Sequence, residues 1–280
     1  MTQTEDKVAA HYTTGDILGR IREGLSALGV NPDAPTVDSL KPVDEFHTGG
    51  LEATQALLEQ VEITPQTRVL DIGCGLGGTA RFIASHFGAH VTGIDLTPAY
   101  VDVANKLSEM VELDGKTMFL QASALKLPFE NDSFDMAVML HVGMNIEDKS
   151  TMFSEAARVL APGGIFALFD IMRGDDAKSA LTFPFPWAEA AEASFVAPPQ
   201  AYRDAAAAAG FEQTGERDRS DFGAAFFKKV FAANAERGGP PPVGIHLLMR
   251  ETAGEKLKNY VAALESGQLA PHEMIFKLRG

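Results

Sequence analysis

Short apolar runs alternate with amphipathic segments through the middle of the chain. The runs are almost continuously apolar, as in Phe134–Leu140, which is typical of strands covered on both faces. Strands are predicted at 68–72, 90–94, 117–121, 134–140 and 165–169. Apolar residues at helical spacing predict helices between them at 77–87, 98–111 and 148–160. Repeated strand–helix–strand units predict a parallel sheet with helices on both faces.

The pattern changes on both sides of this block. Before it, we predict a helix over 4–30, a turn-rich stretch over 31–42 and an amphipathic helix over 51–61. After it, we predict a helix over 200–209, a strand over 211–219, two helices within 220–266 broken at 238–242, and a last strand over 273–278. The expected fold is α/β, three layers (αβα) around a seven-stranded, mostly parallel sheet. The expected units are an N-terminal helical lid (1–62), a core (63–219), a helical insertion that caps the site (220–269) and a closing strand (270–280).

Composition narrows the class of partner. The chain has 24 basic and 38 acidic residues and a net charge of −14, which argues against nucleic acid and anionic membranes as partners. Its one cysteine, Cys74, excludes an internal disulfide, and no His, Cys, Asp or Glu set has convincing metal-ligand spacing. The first residues lack a signal-peptide pattern, and the longest apolar stretch, 159–172, is too short to span a bilayer. We expect a soluble, cytoplasmic protein, and a homodimer remains open.

A glycine-rich turn between the first predicted strand and helix carries the strongest signal. Gly73, Gly75 and Gly78 match the G-x-G-x-x-G pattern of dinucleotide sites, and Asp95 lies where a ribose-binding acid is expected. Asp71 precedes the first glycine by two residues and would face a pyrophosphate at a few ångströms. At an effective dielectric of about 20, that repulsion is of order a few kcal/mol. A cationic, phosphate-free adenosyl ligand such as S-adenosylmethionine is therefore favoured over a nicotinamide dinucleotide.

At this point the sequence resembles the class I S-adenosylmethionine-dependent methyltransferases, whose fold is Rossmann-like. The matching segments are Val69–Gly78, Val91–Asp95, Leu127–Phe129, Phe134–Asp135 and Arg158–Gly164. The resemblance implies that Asp71 and the Gly73–Gly75 backbone hold the methionine part of the cofactor and that Asp95 accepts hydrogen bonds from the ribose hydroxyls. The implied cofactor-binding residues are Tyr12, Asp71, Gly73, Gly75, Gly78, Asp95, Leu96, Ser123, Ala124, Leu125, Leu140 and His141.

One position departs from the family pattern. The family often has an acid where Ser123 stands, and that acid receives the adenine amino group. Ser123 can accept one hydrogen bond, but only as a neutral group. This departure affects the adenine contact and not the choice of cofactor.

Methyl transfer from a sulfonium is an in-line displacement that mainly needs desolvation and alignment, so a catalytic base is optional. His141, at the end of the fourth predicted strand, is the leading catalytic candidate, and Asn145 follows it in the next loop. Both have structural alternatives, because His141 can simply pack under the cofactor and Asn145 can cap a helix. Tyr12 is a candidate for contact with the sulfonium through its ring face, or a plain helix-face aromatic.

Other residues are weaker candidates. The stretch Phe183–Trp187 predicts an apolar wall for a methylated onium, or a hydrophobic plug under the insertion. His47, before Gly49 and Gly50, is a candidate to face the methionine end of the cofactor, although an ordinary loop histidine is the favoured interpretation. His246, Arg250 and His272 are expected to be exposed.

The methyl acceptor is the least determined part of the function. A weaker resemblance, to sarcosine/dimethylglycine and other betaine-type N-methyltransferases, rests on His47–Gly50, the insertion and the closing strand Met274–Lys277. It favours N-methylation of a small amine. The alternatives are C-, O- or S-methylation of a quinone-like ring or a thiol, a nicotinamide-dependent oxidoreductase, and a non-catalytic cofactor-binding protein.

Overall fold

Seven strands form one mixed sheet in the computed structural model, which describes residues 2–12, 15–45, 47–174, 179–249 and 252–280. The strands are β1 (Arg68–Ile72), β2 (His90–Asp95), β3 (Thr117–Gln121), β4 (Phe134–Leu140), β5 (Leu160–Arg173), β6 (Phe211–Asp218) and β7 (Leu269–Leu278). Their order in the sheet is β3-β2-β1-β4-β5-β7-β6. The pairs from β3 through β5 are parallel, and β7 is antiparallel to both β5 and β6. The predicted Rossmann-like αβα fold with seven strands is confirmed.

Helices lie on both faces of this sheet and at its ends. They are α1 (Gln3–Tyr12), α2 (Ile17–Ala27), α3 (Val37–Asp44), α4 (Gly50–Leu58), α5 (Gly78–Phe87), α6 (Pro98–Met110), α7 (Lys149–Val159), α8 (Pro199–Ala208), α9 (Ser220–Arg237), α10 (His246–Met249) and α11 (Ala253–Glu265). One apolar cluster packs the sheet against α7 and α8 through side chains such as Phe153 and Tyr202. A second packs the other face against α4, α5 and α6 through side chains such as Leu57 and Ile83. No helix of the described residues is long and apolar enough to cross a membrane.

The N-terminal region differs from the prediction in two places. The predicted helix over 4–30 is two helices, α1 and α2, and α2 begins where the Asp16 carboxylate accepts a hydrogen bond from the Gly19 N–H at 2.8 Å. The predicted turn-rich stretch contains α3, with Pro42 inside it. A capping box between Thr36 and Ser39 starts this helix, so local side-chain hydrogen bonds outweigh the helix-breaking signal of the prolines.

The C-terminal region is also more regular than predicted. Strand β5 extends well beyond 165–169, and β7 begins at Leu269 although Pro271 reads as a strand breaker. Pro271 lies opposite Ile171 in the β5–β7 ladder. The insertion contains a short helix, α10, between α9 and α11, in place of a simple break between two helices. The helices of the insertion lie near the carboxyl ends of the parallel strands. Side chains of the insertion and of the strand ends line the same cavity.

Candidate active site

A cavity of about 1270 Å³ opens at the carboxyl ends of β1, β2 and β4. The stretch α1 contributes one wall through Thr4, Glu5, Val8, His11 and Tyr12, which recur at helical spacing. The insertion contributes the opposite side. Open parallel sheets bind ligands at this edge, so its position agrees with a ligand site.

Most of the residues predicted from the sequence meet in this cavity. Those that line it are Tyr12, Asp71, Gly73, Gly75, Asp95, Leu96, Ala124, Leu125, Leu140, His141 and Asn145. Gly78 and Ser123 are not among the described lining residues. Gly78 is used in helix packing, and the Ser123 hydroxyl makes hydrogen bonds within the protein.

Gly78 is required by packing. A Cβ atom at this position would lie 2.2 Å from the carbonyl oxygen of Asp44, so the missing side chain lets α3 approach the start of α5. Gly73, by contrast, lines the cavity with φ +74, and a Cβ there would lie 2.4 Å from Val142. The first glycine thus shapes the turn that faces the cavity, and the third joins two helices behind it.

Asp71 is a buried acid with an unused oxygen. It is 2% exposed, and its Oδ2 has no hydrogen-bond partner among the described residues. Burial raises the pKa of Asp71 to about 7, and the negative charges of Asp95 and Glu45 add to this shift. A cation placed beside Oδ2 would relieve both effects, so the residue suits an ammonium group.

Asp95 is held firmly at the end of β2. Its Oδ2 accepts a hydrogen bond from the Gly75 N–H at 3.0 Å, and its Oδ1 accepts one from the Thr97 N–H at 2.8 Å. The Thr97 side chain and the Leu96 backbone also donate hydrogen bonds to this carboxylate. The arrangement therefore fixes the glycine turn to β2 and holds the Asp95 side chain in one position at the cavity wall.

Ser123 contacts a residue that the sequence did not single out. Its hydroxyl donates a hydrogen bond to Oε1 of Glu5, and Glu5 lines the cavity. The signal that could have revealed Glu5 is its position on one face of α1 together with Val8 and Tyr12. In the sequence alone, this face is indistinguishable from a solvent-exposed one.

Two histidines lie side by side at the cavity floor. The His141 and His47 rings are 5.7 Å apart, and Nε2 of His141 is buried with no hydrogen-bond partner in the described chain. Burial lowers the pKa of His47 to about 4, and burial together with the neighbouring His47 holds the pKa of His141 well below its usual range. Both imidazoles are neutral at pH 7. Of the two interpretations of His47, the burial of its side chain (7% exposed) and its place in the cavity lining support contact with a ligand over an ordinary loop position.

The proton on His47 can be located from its neighbours. Thr54 Oγ1 donates to Oε2 of Glu45 at 2.8 Å and lies 3.0 Å from Nε2 of His47, which is 3.1 Å from the carbonyl oxygen of Gly50. Both neighbours of Nε2 therefore act as acceptors, so Nε2 carries the hydrogen and Nδ1 keeps the lone pair. Sequence reasoning missed this network because it joins the end of α3 to the following turn and to α4.

Asn145 points into the site and does not cap the next helix. Its Nδ2 donates to the Tyr12 hydroxyl at 3.3 Å, while its Oδ1 is buried without a partner in the described chain. Asp148 caps α7 instead, with its carboxylate accepting from the Thr151 N–H at 2.9 Å. Asn145 therefore presents a free amide oxygen beside Tyr12.

The aromatic stretch 183–187 contributes one ring to the cavity. Trp187 lines it, whereas Phe185 stacks behind Trp187 with ring centroids 4.8 Å apart. Tyr260 meets the edge of Trp187 at 5.5 Å, and its hydroxyl is 2.8 Å from Oγ1 of Thr48. Phe227 also packs against Tyr260 at 5.5 Å and lines the cavity. The predicted wall thus combines Trp187 with aromatic rings of the insertion, and Phe185 is the predicted plug.

The remaining histidine candidates lie in different environments. His246 is half-buried in the cavity lining. His272 is 9% exposed, which corrects the expectation of an exposed side chain, and its ring nitrogens lie 3.6 Å from Glu216 and 3.9 Å from Asp218. Arg250 lies outside the described residues. Among the described residues, no group of three or more His, Cys, Asp or Glu side chains is placed to hold a metal ion.

Acidic residues outnumber basic residues in the cavity lining. Eight acidic residues line the cavity, namely Glu5, Asp44, Glu45, Asp71, Asp95, Glu147, Asp148 and Glu189. The described basic lining residues are Lys41, Arg237 and Lys256. The site therefore favours cationic or neutral ligands over phosphorylated ones.

Residues 70–168 match the family described as methyltransferase domain. The central part of this chain is a methyltransferase domain of the class I, S-adenosylmethionine-dependent kind. The matched segment runs from β1 into β5, so it contains the glycine turn, Asp71, Asp95 and His141. The residues around the turn fit the cofactor of this class, because the unpartnered, buried carboxylate oxygen of Asp71 suits the ammonium group of the cofactor's amino-acid tail.

Three relatives illustrate the range of similarity. The methyltransferase GfsG of Streptomyces halstedii is 32% identical over 181 residues, which are 61% of this chain and 63% of that protein. The chloroplastic tocopherol O-methyltransferase of Arabidopsis thaliana is 42% identical over 97 residues, 35% of this chain and 28% of the relative. A structure assigned as a sarcosine dimethylglycine methyltransferase from Galdieria sulphuraria has a TM-score of 0.69 at 21% identity, covering 84% of this chain and 93% of that one.

The curated relatives share mainly the cofactor-binding core. Three of those that this chain matches share only 28% to 37% of their own length with it. The N-terminal helices and the insertion, which complete the cavity, lie outside the family match.

Proposed function

We propose that this methyltransferase moves a methyl group from S-adenosylmethionine to a small-molecule acceptor with an apolar body, as in O- or C-methylation of a quinol-like ring. The observation that carries the proposal is one cavity that is lined both by the acids at the strand ends and by aromatic rings of the insertion. Its volume of about 1270 Å³ exceeds the roughly 300–1,000 Å³ of ordinary ligand pockets. It therefore has room for a cofactor and a sizeable acceptor together.

In this proposal the chain's own residues hold the cofactor at the sheet edge. Asp71 binds the ammonium group, Asp95 accepts from the ribose hydroxyls, and Leu140 packs beneath. S-adenosylmethionine supplies a methyl group bound to a positively charged sulfur, which is already activated for displacement. The remaining task of the protein is to exclude water and to align the acceptor.

The residues beyond the cofactor acids would bind and orient the acceptor. Trp187, Phe227 and Tyr260 supply an apolar surface. Oδ1 of Asn145 accepts a hydrogen bond, Nε2 of the neutral His141 donates or accepts one according to its tautomer, and neither atom has a partner in the described chain. A hydroxyl group serves both atoms, because it donates and accepts. With a strongly lowered pKa, His141 positions the hydroxyl and is a weak proton acceptor.

The N-terminal helices act as a lid and the insertion as a substrate cap in this proposal. The excess of acidic lining residues disfavours an acceptor that carries a diphosphate. The tocopherol O-methyltransferase named above is consistent with an apolar acceptor. The homodimer and the cytoplasmic location stay predictions from the sequence.

A small amine is the second candidate, and one observation favours it. Trp187, Tyr260 and Phe227 meet edge-on around one corner of the cavity, and aromatic faces attract methylated ammonium groups. The negative lining would also attract a cation. The amine nitrogen must arrive unprotonated, however, and the buried His47 and His141 are too weakly basic to assist it at pH 7.

Two measurements test the proposal. Calorimetry with S-adenosylmethionine, S-adenosylhomocysteine and NAD is expected to detect the first two, and preferential binding of NAD would refute the cofactor assignment. Mass spectrometry of products from glycine, sarcosine, dimethylglycine, a thiol and a prenylated quinol is expected to detect a methylated quinol. Methylation of sarcosine or dimethylglycine alone would refute the apolar acceptor and support the small amine.

A further inference from the structure

The first helix places an acid against the end of β3. Glu5 is 9% exposed, and its two carboxylate oxygens accept hydrogen bonds from the Ser123 hydroxyl and, at 2.6 Å, from the Thr2 N–H. Burial by itself raises the pKa of Glu5, but the hydrogen bonds from Ser123 and Thr2 outweigh it, and the net shift is downward. Glu5 is therefore ionised at neutral pH and brings a negative charge into the cavity lining.

The neighbours of this carboxylate form an apolar slot. Ala122, Ala124 and Leu125 surround Ser123 in sequence and line the same cavity, as does Leu96 at the end of β2. The Gln121 amide donates to the carbonyl oxygen of Leu96 at 3.1 Å, which ties the two strand ends together. A flat, apolar-faced group with a polar edge, such as a purine, matches this combination.

The one donor hydrogen of the Ser123 hydroxyl is already used. Its hydroxyl donates to Glu5 and accepts from the Leu125 N–H at 3.0 Å, and it does not line the cavity. Glu5 has acceptor sites left, because an ionised carboxylate can accept about four hydrogen bonds and donates none. The polar edge of the slot is therefore the Glu5 carboxylate.

We propose that Glu5 recognises the adenine amino group of the cofactor and that Ser123 is the positioning residue that holds its carboxylate. This inference rests on the proposed function. A carboxylate at this edge accepts from a 6-amino group and repels the oxygen of a 6-oxo purine. Because Glu5 belongs to α1, it can recognise the purine only when α1 is packed against the end of β3. The position of the N-terminal lid therefore affects which purine the site prefers.

Competitive calorimetry with S-adenosylhomocysteine and S-inosylhomocysteine tests this. Wild-type protein is expected to prefer the adenosyl ligand by about tenfold or more, the usual value of one charge-assisted hydrogen bond. Glu5→Gln presents both a donor and an acceptor, so its preference is expected to fall to within about threefold. Glu23→Gln, at an exposed position on α2, is the matched control and should keep the wild-type preference. Ser123→Ala should lower the preference without removing the charge.

The outcomes separate this inference from the proposed function. Equal affinity of wild-type protein for both ligands overturns the role of Glu5 without any variant. An unchanged preference in a folded Glu5→Gln protein does the same. Failure of wild-type protein to bind either ligand would instead refute S-adenosylmethionine as the cofactor. Quenching of the single tryptophan, Trp187, which lines the cavity, gives an independent binding signal.

Discussion

Cofactor affinity should depend on pH through the proton on Asp71. Burial and two neighbouring acids raise the pKa of Asp71 to about 7, and only its ionised form attracts the ammonium group of the ligand. The bound cation lowers this pKa, so binding releases a proton below about pH 7. Affinity must therefore rise with pH up to about 7 and level off above it.

The expected size of the change in affinity follows from the fraction of Asp71 that is ionised at each pH. With a pKa of about 7, roughly three quarters of Asp71 is ionised at pH 7.5 and about 3% at pH 5.5. S-adenosylhomocysteine should then bind about 25-fold more weakly at pH 5.5 than at pH 7.5. At pH 6.5, about 0.8 proton should be released for each ligand bound. Glu45, whose burial raises its pKa to about 7, lies nearby and adds to the slope if it also senses the ligand.

Calorimetry in buffers of different ionisation enthalpy measures both quantities. Asp71→Asn should bind more weakly at pH 7.5 and should lose most of the pH dependence, while any remaining slope belongs to Glu45. Unfolding temperatures at both pH values serve as the control for loss of structure. The reasoning fails if wild-type affinity is the same at both pH values, or if Asp71→Asn keeps the full slope.

Three further changes have defined outcomes. Arg81→Met leaves the Asp44 carboxylate, which Arg81 contacts at 2.5 Å in the wild type, buried and unpaired, so the free energy of unfolding measured in urea should fall by about 3–5 kcal/mol. Arg68→Met, at an exposed ion pair, should lower the free energy of unfolding by less than about 1 kcal/mol, and equal losses would contradict this prediction. Asp95→Ala should abolish measurable cofactor binding in a folded protein, and wild-type affinity would remove Asp95 from the ribose role. Asp71→Asn should raise the unfolding temperature at pH 8, because the fold disfavours the ionised form, with the gain vanishing towards pH 4; a decrease at pH 8 would contradict the raised pKa.

The local order of residues determined the sheet and the chemistry of its edge. Apolar runs such as Phe134–Leu140 are typical of strands covered on both faces, and the glycine turn that follows β1 predicts that Asp71 lies at a strand end. Parallel strands bring their carboxyl ends to one edge, so Asp71, Asp95 and His141 were expected to meet, and they line one cavity. Periodicity and turn chemistry are short-range properties, which is why this part was predictable.

Tertiary contacts decided which polar side chains belong to the site. Glu5 and Ser123 are 118 positions apart, and Glu5 on an isolated helix is indistinguishable from a solvated acid. His47 became a buried neighbour of His141 only when the segment after α3 packed over the turn. The width of the cavity likewise depends on where the insertion lies over the strand ends. Such contacts join segments that are far apart in the sequence. The hydrophobic pattern of one segment therefore does not predict which other segment it will contact.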